Sequence, residues 1–563
     1  MCGISLFLQY QDDESYSEIL YKYFKNISKR GPDRSNYLEL MNKVNMKIGF
    51  HRLSIMDQST KGDQPFKYES KGNTIYVICN GEIYNYLELV EKEKLIDKNF
   101  SLNSKSDCEI IGHLYLKYGI DNLVSVLEGE YAFMICDVNM NSGNYKIYAC
   151  NDRFGIRPLF VATSEKGFFL SSEVKGIPLE IMKNYKIDRF KPRNYCLITK
   201  NNNEIDMKYT EYYNLSNIKT KIYDIEIAKK SIYESFFQCI NKMVASDRNI
   251  GCLLSGGLDN SLVSSIVSYI YKNRYNKKIR TFSIGLEGST DEYYAKLVSK
   301  YIDSEHTHII LTEKDFLESL DQVIKTIETF DITTIRASTP QYLISKWISQ
   351  NTDIKVLFTG DGSDELSGGY MYFHKAPSKD ELHKENIKLL DNIHYFDGLR
   401  ADRCIAGNGM EARFPFLNHN FVETYLSIDP KLRLPNKGIE KWLLRESFNN
   451  SKLLPNEVLF RKKEAFSDAC SSLNKSWYQI IQDYVDKLYT EQDVKLSCTK
   501  YTYLVPYTKE SLYYRDTFTK YYGDGNVQKI IPNFWLPNKD WCGDITDPSA
   551  RTLDVYQNYK CEL

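Results

Sequence analysis

The chain has 563 residues, 26% of them charged, and a net charge of −1. That length predicts two or three domains whose cores need no disulfide or metal staple. The near-neutral balance gives no electrostatic case for nucleic acid or an anionic membrane as partner. No apolar run reaches the ~18 residues of a membrane span, and the apolar stretch at 4–8 is too short for a signal peptide. Thirteen cysteines without a C-x-x-C pair predict reduced core thiols of a cytoplasmic protein.

In chain order, Cys2 comes first. With Met1 removed it carries a thiol and a free α-amino group, and an α-amine with a pKa near ~8 can take the thiol proton. Short strands follow, separated by turn signals, over 46–50, 74–79, 131–137, 145–151 and 168–172. Asn80-Gly81 follows the second of them and has two readings. It is a hairpin turn, or the Asn80 side chain and the Gly81 N–H face a developing oxyanion. Ser106 or Asp107 is expected to cap a helix over 108–117. So many strands with few helices predict stacked sheets with helices outside.

Met1-Cys2-Gly3-Ile4, Arg30-Gly31-Pro32-Asp33, His51-Arg52-Leu53-Ser54-Ile55, Asn80-Gly81-Glu82-Ile83-Tyr84-Asn85, Ser106-Asp107 and the D-R-F-G-I-R-P-L run at 152–159 stand in one order. Together they resemble a class II glutamine amidotransferase domain. The resemblance implies an α+β fold, the αββα sandwich of the Ntn hydrolases. It implies that Cys2 attacks the glutamine side-chain amide, with Asn80 and Gly81 as oxyanion hole. Arg52 would pair with the glutamine α-carboxylate, which suits a bidentate donor. Glu82 and Asp107 would receive the α-ammonium, and Leu53, Ser54, Ile55 and Met56 would complete the glutamine site. Glutamate and ammonia would leave through a thioester.

A polar stretch rich in Asn and Lys marks a boundary, placed as a first domain at 2–205, a linker at 206–225 and a second domain at 226–563. A helix is expected over 227–244 and a buried strand over 250–254. Ser255, Gly256 and Gly257 follow, and then a helix with Leu262, Ile266 and Ile270 on one face. Strand, glycine turn, helix is how a parallel α/β sheet holds a phosphate, although a turn that binds nothing is the alternative. The turn lacks the lysine of a Walker loop. Asp259 inside a phosphate cradle makes sense if it holds Mg²⁺. Further strands are expected over 280–285, 306–311 and 355–360, and a helix over 291–301. The strand ends at Leu254 and Ile284 would share a pocket. His306 and His308 share a strand face but lack a third ligand, so no metal is expected there. The last strand runs into Asp361-Gly362-Ser363-Asp364-Glu365, and Asp259 with Asp364 is the expected Mg²⁺ pair.

S-G-G-L-D at 255–259, G-D-G-S-D-E-L-S-G-G-Y at 360–370, Arg336-Ala-Ser-Thr-Pro340, and the runs at 409–417, 463–468 and 546–553 complete a second pattern. These resemble the glutamine-hydrolysing asparagine synthetases over essentially the whole chain. The resemblance implies a PP-loop, adenine-nucleotide α-hydrolase domain. ATP would convert aspartate to an aspartyl-adenylate, releasing pyrophosphate, and ammonia made at Cys2 would reach it inside the protein. ATP would lie against Leu254, Ser255, Gly256, Gly257, Asp259, Ser261, Ile284, Thr359 and Gly360. Asp361 and Lys463 would act in catalysis, Lys463 by stabilising charge on the phosphate. Asp364 and Glu365 would serve the metal or position substrate, and Arg336 is a candidate for a substrate carboxylate. The partners are then glutamine, aspartate and ATP, with room for a homodimer. Three positions depart from the family: Asn260 for serine, Asp361 for glutamate and Asn418 for aspartate. The Asn260 amide is expected to keep donating to phosphate. Two rivals stand beside this reading: a PP-loop amidotransferase with another acid acceptor, and a binding protein that keeps the fold without catalysis. Cys2, Arg52, Asp259 and Lys463, all present, argue against the second.

Overall fold

The structure is a computed structural model and describes residues 1–9, 17–40, 44–93, 102–201, 204–463 and 475–549. Its first half holds two six-stranded antiparallel sheets. In spatial order one contains Lys186–Arg189, Phe160–Ser164, Gly167–Ser171, Gly3–Gln9, Met46–Arg52 and Arg34–Leu40. The other contains Glu204–Glu211, Asn194–Asn201, Tyr145–Asn151, Gly129–Val138, Asn73–Ile83 and Phe66–Ser70.

Period-two alternation decides what each face buries. Ile4, Leu6 and Leu8 point between the sheets, where they meet Ile78, Ala132, Met134 and Ile147. Phe7 points the other way, into a cluster with Leu20 of the helix Ser17–Lys25. On the second sheet Val77, Cys79, Phe133 and Ile135 pack against the helix Ile110–Val126. Full burial of one such aliphatic side chain stabilises the fold by about 1.5–3 kcal/mol. The result is the αββα sandwich. The strand Asn73–Ile83 runs straight through Asn80 and Gly81, which pair with Ala132 and Tyr131, so the hairpin-turn reading of that step is wrong. The strong β-formers before it and the partner strand beyond it carry the chain on.

The second half is a five-stranded parallel sheet in the order Glu305–Ile310, Arg280–Gly285, Ile250–Leu253, Val356–Phe358, Glu411–Arg413. The chain leaves Ile250–Leu253 toward one edge, then returns to its other side at Val356–Phe358. That reversal opens a crevice beyond the carboxyl ends of the two neighbouring strands. Around the sheet lie the helices Ile225–Met243, Leu258–Tyr275, Thr290–Tyr301, Glu313–Ile327 and Ile332–Asn351. No described helix is long and apolar enough to cross a membrane.

The stretch expected as a linker is partly sheet. Glu204–Glu211 pairs with Asn194–Asn201 as an edge strand, so the antiparallel half reaches into 206–225. Only Ile205 and Tyr209 of this edge strand reach the neighbouring core, between the polar Asp206 and Lys208 and beside a run of asparagines, which is why the stretch reads as loop. The helix Ile225–Met243 then starts at Asp224, whose carboxylate accepts from Glu226 and Ile227 N–H.

The halves share a buried interface. Arg30 donates to Glu173 (2.9 Å) and to Asp402 (2.8 Å). Arg157 bridges Glu130 (2.7 Å) and the carbonyl of Ala412 (2.8 Å). Arg403 lies 3.1 Å from Glu173 and 3.0 Å from Glu328. One apolar cluster spans the junction too, with Leu53, Ile55 and Phe154 against Ile405, Met410 and Phe414.

Candidate active site

Two sites emerge, one in each half. In the first, the Cys2 backbone N donates to Asn80 Oδ1 at 2.8 Å and Arg30 Nε donates to the Cys2 carbonyl at 3.0 Å. The Cys2 thiol faces the Leu53 carbonyl at 3.8 Å. Burial pushes that thiol up to about 11, against the pull of the nearby terminal ammonium, so it needs a base to become a nucleophile. Asn80 turns its oxygen to Cys2, and its buried Nδ2 has no hydrogen-bond partner among the described residues. An unpaired buried donor next to a thiol is what an oxyanion hole requires.

The other residues expected at a glutamine site are placed less simply. Arg52 is buried and its fork is taken by its own loop: Nη1 donates to Asp63 and to the Ser59 carbonyl, both at 2.6 Å, and Nη2 to the Asp57 carbonyl. Leu53 and Ile55 belong to the apolar junction, Ser54 N–H donates to Asp33 at 2.9 Å, and Met56 is half-buried. Asp107 does not cap the helix as expected; its carboxylate accepts from Ile83 N–H at 2.6 Å, and Ser106 makes no capping bond either. Burial raises Asp107 to about 6 against that N–H. Glu82 lies 3.6 Å from Arg413 of the second half, and burial together with Asp107 keeps its carboxyl well above the usual range.

The second site is a cavity of 240 Å³ at the sheet reversal. Leu254, Ser255, Gly257, Asp259, Ile284, Thr359 and Gly360 line it, with Asp361, Asp364 and Lys463. Gly256 and Ser261 do not. Gly256 takes a positive φ of 74° to make the turn, and Ser261 is buried in the helix behind it. The helix Leu258–Tyr275 has no side-chain cap, so its first N–H groups remain available to an anion. Gly360 must be glycine for close approach, since a Cβ there would lie 2.7 Å from Asn260 N.

Three side chains differ from expectation. Asn260 joins the two glycine-rich strand ends: its Oδ1 accepts from Gly360 N–H at 2.7 Å and its amide donates to Ser255 Oγ at 3.4 Å. Its donor therefore already has a partner other than phosphate. Both Asp361 oxygens are engaged, Oδ1 by Arg400 at 2.6 Å and Oδ2 by Gln341 at 3.2 Å and by Thr359. Arg336 is gripped by carboxylates of the chain itself, Glu510 at 2.8 and 2.5 Å and Asp547 at 3.0 Å twice.

The two carboxylates expected as a metal pair, Asp259 and Asp364, both contact lysines. Lys441 Nζ lies 2.7 Å from Asp259 Oδ1 and 2.5 Å from Asp364 Oδ1, and Lys463 Nζ lies 2.7 Å from Asp364 Oδ2. Although burial opposes it, the two lysines hold the Asp364 carboxyl well below its usual range. His306 and His308 instead share Ser283 Oγ, at 3.0 and 2.7 Å, and among the described residues no group of three or more His, Cys, Asp or Glu converges as on a metal. Beyond Lys463 its motif lies outside the described residues, as do 550–553 of the last one.

A glutamine amidotransferase domain model matches residues 1–233, and an asparagine synthase model matches 231–388 and 375–530. The chain is similar to the glutamine-hydrolysing asparagine synthetase of Gallus gallus, 39% identical over 577 residues and 99% of each chain. It is similar to that of Homo sapiens at 38% over 578 residues, again 99% of each. The chain belongs to the asparagine synthetase family. Several residues of this synthetase escape a motif search. Lys441, Arg400 and Asp397 all line the cavity, yet each is one polar residue in an ordinary stretch; Tyr370, which closes the motif at 360–370, lines it too. Tyr370 OH lies 2.8 Å from Glu365 and 2.7 Å from Asp397. Burial and the Asp397 charge raise the Glu365 carboxyl well above its usual range.

Proposed function

We propose that this chain makes asparagine from aspartate, with ATP as activator and glutamine as nitrogen donor, yielding AMP, pyrophosphate and glutamate. The observation that carries the reading is that the two sites occur in one chain that matches its relatives end to end. Removal of Met1 turns the Cys2 nitrogen, already on Asn80 Oδ1, into the α-amine that takes the thiol proton. The thiolate sulfur attacks the glutamine amide carbon. Asn80 Nδ2 and the Gly81 N–H receive the oxyanion. The amine returns its proton to the departing ammonia, and water then cleaves the thioester to glutamate. Asp107, with Glu82, receives the glutamine α-ammonium. For Arg52 to take the α-carboxylate, the 56–63 loop must yield one of its contacts.

In the second site the aspartate side-chain carboxylate attacks the ATP α-phosphorus and pyrophosphate leaves. Ser255, Gly257 and the helix start hold the phosphates, and Leu254, Ile284, Thr359 and Gly360 face the nucleoside. Lys463 offsets the charge that develops on phosphorus. Ammonia attacks the acyl carbon, AMP leaves and one proton is lost. Asp361, fixed by Arg400, positions the acid rather than meeting the adenylate with a free oxygen. Asp259 and Asp364 fit Mg²⁺, because their carboxylates already converge on one cationic nitrogen, and two carboxylates plus phosphate oxygens are a usual set for it. When bound, that ion would offset the triphosphate charge. The domain boundary falls between Glu211 and Ile225. The described cysteines are all free, as suits a cytoplasmic enzyme. A homodimer is compatible with the fold, and every residue assigned to either site comes from a single chain.

The test is ATP–pyrophosphate exchange across candidate carboxylic acids. Exchange with aspartate is expected. Exchange with another acid and not aspartate would make this a PP-loop amidotransferase of different specificity.

A further inference from the structure

Lys441 stands where a metal would be expected, and three features put it there. Its side chain is 1% exposed, and Nζ touches Asp259 Oδ1 (2.7 Å), Asp259 Oδ2 (2.8 Å), Asp364 Oδ1 (2.5 Å) and Ser363 Oγ (3.1 Å). Its backbone sits at φ 56°, a conformation non-glycine residues rarely adopt. Arg445 fixes the preceding residue by donating to the Glu440 carbonyl at 2.9 Å and pairing with the Glu440 carboxylate. Finally, its stem passes where a side chain is missing: a Cβ on Gly369 would lie 1.9 Å from Lys441 Cε. Lys463 reaches the same carboxylates less fully, at 2.7 Å from Asp364 but 4.0 Å from Asp259.

We infer that Lys441 keeps free divalent metal out of the Asp259–Asp364 pair and admits Mg²⁺ only together with the nucleotide. The two ammonium groups match the two carboxylates charge for charge, so a dication enters only if an ammonium leaves. A buried ammonium leaves only toward another anion, and the nucleotide phosphates supply one. Lys441 is thus a specificity-determining residue for metal entry, and it hands its charge to the phosphates. This rests on the reading of the cavity as a Mg²⁺–ATP site. The two fail separately: aspartate-dependent ATP–pyrophosphate exchange tests that reading, whereas metal binding without nucleotide requires no reaction.

The experiment titrates Mn²⁺ into the full-length enzyme and reads free Mn²⁺ by its EPR signal. Wild type is expected to retain none at about 1 mM without nucleotide, and to bind it once non-hydrolysable α,β-methylene-ATP is present. Lys441→Met is expected to bind Mn²⁺ without nucleotide at least about tenfold more tightly than wild type, and its unfolding midpoint to rise by about 2 °C in excess Mg²⁺ while wild type does not move. Lys441→Gln, which keeps most of the stem and removes the charge, is expected to shift binding the same way; Gly369→Ala is no substitute, since its Cβ would lie 2.0 Å from Asp364 Oδ1 as well. Wild type that takes Mn²⁺ as tightly without nucleotide as with it overturns the inference on its own, whether or not either variant folds. A folded Lys441→Met protein as indifferent to metal as wild type also overturns it.

Discussion

The two sites are held in different ways. Around Cys2 the fixed contacts run through backbone: Cys2 N and carbonyl, the Leu53 carbonyl, and Ile83 N–H on Asp107. Sheet register sets those positions: Cys2 and Leu53 flank the paired ends of adjoining strands, and Asn80 and Ile83 share one strand of the other sheet. The nucleotide cavity is held by side-chain charge instead. Asp259, Asp364, Lys441 and Lys463 come from distant parts of the chain and fix one another. A site held by register tolerates the loss of a charge better than a site whose charges are its scaffold. The nitrogen-releasing half and the acid-activating half should therefore fail independently and in different ways.

The largest separation is expected from Cys2→Ala. Glutamine-dependent asparagine formation should fall by at least about 10³-fold while synthesis from ammonium salts stays within about twofold. Product assays with each nitrogen source check this, and equal loss with both would break the division between the halves. Lys463→Met should lose about 10²–10³-fold with both sources, while glutamine hydrolysis continues. Asp402→Ala strikes the junction rather than either site. It takes one of two carboxylates from the buried Arg30, which keeps Glu173, and should cost about 1–3 kcal/mol, seen by calorimetry as unfolding that splits into two steps.

Smaller effects sharpen the contrast. Burial raises Asp107 to about 6, and in the proposed role only its ionised form would attract the glutamine α-ammonium. The KM for glutamine should thus rise about tenfold from pH 7 to pH 5, since the charge is present above the pKa and lost below it. Ammonium-supported synthesis should show no such inflection. Asn418, whose side chain caps the helix His419–Leu426 by accepting from Asn420 and Phe421 N–H, should cost about 1 kcal/mol as Asn418→Ala, with activity retained.

The same contrast explains what could be read from sequence. Asn80-Gly81-Glu82 and the glycine turn at 255–257 are local patterns, because a strand end or a helix start needs those residues side by side. Even so, the continuation of the strand through Asn80 depended on its partner at 129–138, which no local signal carries. Lys441 and Arg400 were invisible, since a lone cation gains its meaning from carboxylates far away in the chain. The edge strand Glu204–Glu211 was missed because its alternation, Ile205, Met207 and Tyr209, is short and largely exposed beside a polar run. Asp107 looked like a cap because its usual duty and its actual one, accepting from a backbone N–H, use the same atoms.

Met1 is 1% exposed and its ammonium pairs with Glu411 at 3.2 Å, 410 positions further along the chain. Once that later segment has docked, no aminopeptidase can reach the terminus. Clipping therefore belongs to the minutes of biosynthesis, while the ribosome still withholds the second half. A chain that folds before it is clipped would keep its methionine, and mass spectrometry of hastily overproduced protein should find such molecules still able to use ammonium salts but unable to use glutamine.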